Sequence, residues 1–123
     1  MKSRFLKKLA MLSSLLGMTL LLTGCPFYSS SSTVYPNTLL IENHSSSFDD
    51  IWYAYLTPSD ALTWGDDLLG VDILQPGEYI TIDVYDCNNY YDIRVEYEGG
   101  LIVEEYDIWL PCNTTTIVPF TDY

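Results

Sequence analysis

Basic residues are scarce in this chain, which carries five Lys and Arg against seventeen Asp and Glu over 123 residues. Four of the five lie within the first eight positions, and Arg94 is the only one beyond them. Nucleic-acid binding needs Lys and Arg to neutralise phosphates, so this shortage excludes it. It also disfavours attraction to anionic lipid surfaces. The acidity itself fits either a solubility device, including one for a salty habitat, or affinity for a cationic partner.

Cysteine and histidine are also rare. The chain has three cysteines, Cys25, Cys87 and Cys112, and one histidine, His44. Zinc sites commonly take their ligands in close pairs, and the spacing here offers none, which argues against zinc. Serines follow His44 directly, but a catalytic triad needs groups that meet in space with an orienting acid. We therefore predict that the protein is not an enzyme.

Long apolar runs are limited to one. After a basic front, an uncharged segment extends from Leu9 to Leu22, which is short for a membrane span and typical of a secretory signal. It ends in Leu22-Thr23-Gly24-Cys25, which resembles the lipobox of bacterial lipoproteins. The resemblance implies a cleaved helical signal peptide, residues 1–24, and a lipid anchor on Cys25. The alternative is an ordinary signal with a chance cysteine.

The same resemblance implies a location. It places the protein outside the cytoplasm, held by acyl chains to a bacterial membrane and facing the periplasm or the cell surface. The residue after the cysteine is Pro26 and not aspartate, which resembles lipoproteins sorted to the outer membrane. The sequence leaves both the inner and the outer membrane open as the location of the anchor. Residues 25–37 are then a tether containing four consecutive serines. At ~3.5 Å per residue this tether reaches some 35–40 Å.

Cleavage before Cys25 leaves residues 25–123, a length of 99 residues that suits one domain with a modest core, residues 38–123. One basic residue against seventeen acidic ones gives this mature chain a net charge of −16. In an oxidising compartment, Cys87 and Cys112 are expected to form one disulfide.

No segment of the mature chain has a helical period of useful length, whereas several alternate with the period of strands. The clearest runs from Tyr91 to Glu98, where apolar and charged residues alternate strictly. We predict strands at 38–42, 51–56, 79–85, 91–98, 101–110 and 113–119. Short strands separated by turn signals in about a hundred residues favour an all-β fold, a small antiparallel β-sandwich of six or seven strands. A partly closed barrel is the alternative.

The strongest turn signal is Gly99-Gly100, which predicts a hairpin with a two-residue turn. That register continues outward to place Cys87 opposite Cys112, within disulfide range. It would also turn Glu104 inward, so we predict a β-bulge at Glu104-Glu105 that puts Val103 and Tyr106 on the core side. Arg94 is expected to pair internally with Asp92 or Glu96.

The most distinctive internal stretch is the loop Trp64-Gly65-Asp66-Asp67-Leu68-Leu69-Gly70. Together with Tyr91-Asp92-Ile93-Arg94-Val95 and Ile41-Glu42-Asn43, it resembles a family of small secreted bacterial β-domains, over residues 38–118. The resemblance implies the fold and no particular activity. Physically, the aspartates of the loop suit two roles, bonding to backbone N–H groups in the turn or presenting carboxylates to a ligand.

The candidate ligand-binding residues are acidic apart from one tryptophan: Trp64, Asp66, Asp67, Glu96, Glu98, Glu104 and Glu105. Glycoside hydrolysis would need such carboxylates in a deep cleft, and an outward strand face gives no sign of one. The acids also leave calcium open as a ligand, although the chain has no Asp-x-Asp-x-Asp-Gly loop. We predict no other metal or cofactor.

Two functions remain from the sequence. The first is a lipid-anchored binding module that uses acidic and aromatic surface against a basic protein or a glycan. Strand alternation supports it by turning Tyr79, Tyr85 and either Trp52 or Tyr53 away from the core. The second is a structural envelope lipoprotein without a specific ligand.

Overall fold

A computed structural model describes residues 33–123 of the chain, and the predicted signal peptide, the lipobox with Cys25 and the tether as far as residue 32 lie outside these residues. The described part folds into six strands: β1 (Asn37–Asn43), β2 (Ile51–Pro58), β3 (Tyr79–Val84), β4 (Asn89–Tyr97), β5 (Ile102–Leu110) and β6 (Thr115–Phe120). Within it, no helix has the length and apolar character needed to cross a membrane.

The strands form two three-stranded sheets, ordered β3-β1-β6 and β2-β4-β5. The predicted all-β sandwich of six strands is therefore confirmed. One pair departs from the antiparallel expectation, because β1 and β6 run parallel, with Thr38 opposite Thr115 and Asn43 opposite Phe120. Alternation identifies strands but not the direction of their neighbours, and here the first and last strands begin at the same end of the domain.

The core lies between the sheets and is built from the inward-facing residues of each strand. Leu39 and Ile41 of β1 face Ile93 and Val95 of β4 across it, and all four side chains are fully buried. Burying an aliphatic side chain of this size stabilises a fold by about 1.5–3 kcal/mol. Ile93 and Val95 follow the alternation read in the sequence for residues 91–98, so the core face of β4 was predictable.

Strand β1 is held at each end by a buried asparagine. The Asn37 side chain donates hydrogen bonds to the Pro111 carbonyl (2.8 Å) and the Thr116 hydroxyl (2.9 Å). The Asn43 side chain donates to the carbonyls of Asp49 (3.0 Å) and Leu74 (2.9 Å). These contacts tie the central strand of its sheet to three loops.

The β4–β5 hairpin differs from its predicted register. Its turn contains three residues, Glu98 to Gly100, because the Tyr97 N–H donates to the Leu101 carbonyl (2.8 Å). Both glycines have positive φ, 88° and 95°, which suits a turn that residues with a β-carbon rarely adopt. The predicted two-residue turn is thus wrong by one residue.

The bulge in this hairpin also lies elsewhere than predicted. Arg94 pairs directly with Glu104 and Ile93 with Glu105, and the register shifts only beyond them, at Tyr106-Asp107. Asp107 adopts a φ of 54°, and its N–H donates to the Asp92 carboxylate (2.9 Å). Tyr106 consequently points outward and is 57% exposed, where a core position was expected. Aspartate is one of the residues that tolerate left-handed backbone, so Asp107 was the sequence signal for a bulge at this position.

The three-residue turn and the displaced bulge cancel each other, so the far end of the hairpin keeps the predicted pairing. Cys87 and Cys112 form a disulfide with their Cα atoms 5.1 Å apart, as expected from the sequence. The bond joins the β3–β4 connection to the β5–β6 connection. Because each connection crosses from one sheet to the other, the disulfide closes one end of the sandwich.

The outer edge of β2 is covered by the loop that contains the Trp-Gly-Asp-Asp motif. The Leu68 N–H donates to the Ala54 carbonyl (2.8 Å), and Ile51 exchanges backbone hydrogen bonds with Leu74 (2.9 Å each). Covering an edge in this way prevents pairing with another chain. An irregularity between Ile51 and Tyr53 leaves both Trp52 and Tyr53 exposed, where the sequence predicted one of them.

Candidate binding face

The candidate site is the outer face of the β2-β4-β5 sheet, which strand alternation turns away from the core. We call it the acidic–aromatic face, and it comprises Tyr53, Tyr55, Trp64, Arg94, Glu96, Ile102, Glu104 and Tyr106. Arg94 lies at its centre on the middle strand, between Tyr55 of β2 and Glu104 of β5. The next row of the sheet places Glu96 between Tyr53 and Ile102.

Arg94 is held by two carboxylates and an indole ring. Its Nε atom lies 3.4 Å from Glu104 Oε1 and 3.8 Å from Glu96 Oε1, and its guanidinium carbon lies 5.6 Å from the Trp64 ring centroid. The three charged side chains are each about one quarter exposed. Pairing with Glu96 was predicted, whereas Asp92 instead accepts hydrogen bonds from Ser59 and from the bulge.

Tyr106 extends this cluster towards the edge strand. Its ring centroid lies 6.3 Å from that of Trp64, and its hydroxyl donates a hydrogen bond to the Glu104 carboxylate. That bond favours the neutral phenol and raises the pKa of Tyr106, with the negative charge of Glu104 acting in the same direction. The pKa of Tyr55 is raised as well, first by desolvation and then by the charges of Glu96 and Asp67.

The cluster combines the two features by which proteins bind organic cations, an aromatic ring face and nearby carboxylates. Arg94 occupies that arrangement from within the chain. Around it, Tyr53, Ile102 and Tyr106 are exposed and offer apolar contact area. Chemically, the face suits a cationic side chain, or a sugar ring stacked on an aromatic side chain with its hydroxyls bonded to carboxylates.

The structure brings three of the predicted ligand-binding residues together, Trp64, Glu96 and Glu104. Glu98 lies apart in the hairpin turn. Glu105 pairs with Ile93 on the core side of the edge strand and lines a shallow groove between β5 and β6. Sequence reasoning missed Tyr106 because it placed the bulge two residues too early.

Asp66 and Asp67, adjacent in the loop, have different surroundings. Asp67 Oδ1 accepts hydrogen bonds from the N–H groups of Ala54 (3.0 Å) and Leu69 (3.1 Å), and Oδ2 accepts one from Gly70 (2.8 Å). The first of these bonds ties the loop to the edge of β2. Asp66 is exposed to solvent. The Asp67 carboxylate therefore fills the backbone-bonding role that the sequence left open.

The single histidine lies in the turn after β1. His44 Nδ1 is 2.6 Å from the Ser46 hydroxyl, which in turn is 2.8 Å from the Tyr123 hydroxyl, so this turn holds the C-terminus of the chain. Across residues 33–123, no group of three or more His, Cys, Asp or Glu side chains is arranged to hold a metal ion. The sequence left calcium open as a ligand, and a titration with calcium tests it.

No protein-family model, curated protein or solved structure matches this chain. The resemblance of the Trp64–Gly70 loop to small secreted bacterial β-domains therefore stays a prediction.

Proposed function

We propose that the chain is a lipid-anchored envelope protein whose acidic sandwich binds a cationic protein segment through the acidic–aromatic face. The observation that carries this proposal is the seating of Arg94 between Glu96 and Glu104 and beside Trp64. A face that holds its own guanidinium in this way has the chemistry to hold a partner's Lys or Arg at its margin.

Charge supports the same choice of partner. After signal cleavage the chain carries one basic residue and seventeen acidic ones, so its field attracts cations from most directions. Exposed aromatic side chains on the face, Tyr53 and Tyr106, supply the apolar anchors that protein interfaces favour. A glycan would use the same aromatics but gain nothing from the net charge, which is why the cationic partner is preferred.

Lipid attachment at Cys25 would keep such a partner beside the membrane, where basic envelope proteins and cationic peptides arrive. The proposed role is recruitment or neutralisation, without catalysis. The alternative is a structural envelope lipoprotein, in which acidity serves only solubility.

The test is titration of the mature protein with a panel of basic envelope proteins and soluble glycans at about 50 mM and about 500 mM salt. We expect binding of at least one basic protein, fast at low salt and weakened at high salt because the Debye length shortens. If only a glycan binds, and salt does not change its affinity, the face recognises a sugar and not a cationic protein. Binding of neither class would favour the structural alternative.

A further inference from the structure

The described chain enters the domain at one end of the sandwich. Tyr35 is fixed there by two hydrogen bonds, from its N–H to Asn113 Oδ1 (2.8 Å) and from the Asn113 N–H to its carbonyl (3.1 Å). The Tyr35 carbonyl oxygen also lies 3.8 Å from Cys87 Sγ, so the disulfide closes this same end. We call it the entry end.

Apolar side chains are exposed around the entry end. Tyr85, next to the disulfide loop, is 76% exposed, and Tyr35 is similarly open. Tyr90 and Trp109 pair across β4 and β5 at this end, with ring centroids 4.9 Å apart and both rings about half exposed. The loop after β2 adds the fully exposed Leu62 and is tied to Tyr90 through the Ser59 N–H.

Tyrosine and tryptophan favour the boundary between membrane and water, because their rings are apolar and their hydroxyl or N–H groups remain hydrated. The position of the lipid anchor makes such a boundary the nearest large surface. Tyr35 follows Cys25 by ten positions, so the entry end lies within ~35 Å of the anchor even at full extension. A tether of this length gives an effective concentration on the order of millimolar, at which weak surface contacts are occupied.

The acidic residues favour the same orientation. Three lie in or beside the strand ends that meet at the entry end, Asp60, Asp83 and Asp86, while Asp92 and Asp107 lie two residues inside the Tyr90–Trp109 pair. Six lie at the opposite end, in the loops and strand ends around Asn43 and the hairpin turn: Glu42, Asp49, Asp50, Glu78, Glu98 and Asp122. The less acidic end therefore meets less repulsion from any anionic lipid.

We propose that the entry end rests on the interfacial layer of the lipid bilayer, with Tyr35, Tyr85, Tyr90, Trp109 and Leu62 as its contacts. This inference rests on the lipid anchor of the proposed function. The sandwich then stands upright, with the disulfide next to the membrane and the hairpin turn away from it. The acidic–aromatic face is held perpendicular to the bilayer and open to a partner.

Three tryptophans at three heights provide a direct measurement. Trp109 lies at the entry end, Trp64 lies over Arg94 in the middle, and Trp52 lies near Tyr97 at the opposite end. Lipidated proteins that keep one tryptophan, with Phe at the other two positions, are reconstituted in phosphatidylcholine vesicles carrying bromine on the acyl chains. We expect strong quenching and a blue shift for Trp109, weaker quenching for Trp64 and none for Trp52.

A matched pair of variants tests the contact surface with the tryptophans unchanged. Tyr85 directly follows strand β3 at the entry end, and Tyr79 begins the same strand at the opposite end of the domain. Both side chains are more than half exposed. We expect Tyr85→Ser to reduce Trp109 quenching at least twofold and Tyr79→Ser to leave it unchanged. Equal effects of the two substitutions would contradict the proposal.

Flotation with the vesicles separates the anchor from the docking. If lipidated protein floats with the vesicles while Trp109 stays unquenched, the anchor holds and the docking is overturned. Equal quenching of all three tryptophans would overturn the upright orientation. If the protein with intact Cys25 carries no acyl chain and does not float, the anchor of the proposed function fails and the docking fails with it.

Discussion

Arg94 is the residue on which the proposed site depends, because it fills the arrangement that a ligand would use. Replacing it with Gln removes an internal competitor and leaves Glu96 and Glu104 beside Trp64 without a cation. We expect Arg94→Gln to bind a Lys-rich decapeptide several-fold more tightly than the unchanged protein, by calorimetric titration at low salt. The loss of a partly exposed ion pair should lower the free energy of unfolding by no more than about 1 kcal/mol. Weaker binding in this variant would mean that Arg94 itself contacts the ligand.

Two buried tyrosines predict how stability responds to alkaline pH. Burial raises the pKa of Tyr91 and of Tyr97, and the charges of Asp86 and Asp122 add to the respective shifts. A raised pKa means that the folded state holds its proton more firmly than the unfolded state does. The resulting stability is fully present below ~10, the pKa of unfolded tyrosine, and is lost as pH rises through the folded pKa.

The measurement is urea unfolding at about pH 7 and at several pH values above about 10. We expect the free energy of unfolding to fall over that alkaline range. Tyr91→Phe should flatten the fall, while also losing about 1 kcal/mol at neutral pH because the Tyr91 hydroxyl donates to the Asp86 carbonyl (2.6 Å). The control is Tyr85→Phe, since that ring is exposed. If the free energy of unfolding of Tyr91→Phe falls with alkaline pH as steeply as that of the unchanged protein, Tyr91 does not contribute to this pH dependence.

At the scale of elements, the loop over the edge of β2 depends on one carboxylate. Asp67→Ala leaves the N–H groups of Ala54, Leu69 and Gly70 without their acceptor, and we expect a loss of about 1–3 kcal/mol in urea unfolding. Asp66→Ala is the matched control, because it removes the same charge from an exposed neighbour. Equal effects of the two substitutions would show that charge, and not the hydrogen bonds, stabilises the loop.

The disulfide stabilises the end of the sandwich where the two sheets are joined. Cys87 and Cys112 are separated by 25 positions, and closing a loop of that length contributes about 3 kcal/mol in the chain-entropy model. We expect urea unfolding of the Cys87→Ala/Cys112→Ala protein to give a free energy of unfolding lower by that amount, while the unchanged protein shows no free thiol at either position. A reductant should lower the free energy of unfolding of the unchanged protein and leave that of the double variant unaffected.

Most of the strands and their buried faces could be predicted from the sequence, because alternation in segments such as Tyr91–Tyr97 directly reflects burial. The hairpin details could not. Gly99-Gly100 is compatible with turns of two or three residues, and only the observed register, with Arg94 opposite Glu104, shows that the longer one is present. The parallel pairing of β1 with β6 joins the first and last strands of the described chain within one sheet, and no local pattern encodes so long-range a contact.

The candidate site was predictable in part for the same reason. Glu96 and Glu104 were identified as outward-facing acids, but their convergence on Arg94 requires the true register. Tyr106 was assigned to the core because one bulge was misplaced. Asp67 could have been assigned to a structural role on its spacing from Gly70, although the same spacing also suits a ligand loop.

At the scale of the whole molecule, the proposed function joins charge to the proposed lipid anchor. Residues 25–123 have a net charge of −16, and Arg94, the one basic residue among them, is paired with Glu96 and Glu104. A charge of this sign favours long-range attraction of the basic partner that we propose. In the proposed function, short-range selectivity comes from one face. The acidic–aromatic face combines ion-pairing groups with exposed rings on a rigid sheet, whereas the acids of the loops and turns contribute mainly to the field.

The measurement that tests this central claim most directly compares two double variants of equal charge. Glu96→Gln/Glu104→Gln removes two carboxylates from the acidic–aromatic face, and Glu98→Gln/Glu105→Gln removes two from outside it. We expect calorimetric titration with a Lys-rich decapeptide at low salt to show affinity reduced at least tenfold in the first variant and less than threefold in the second. Equal reductions would show that net charge alone attracts the peptide, and would contradict a binding site on this face.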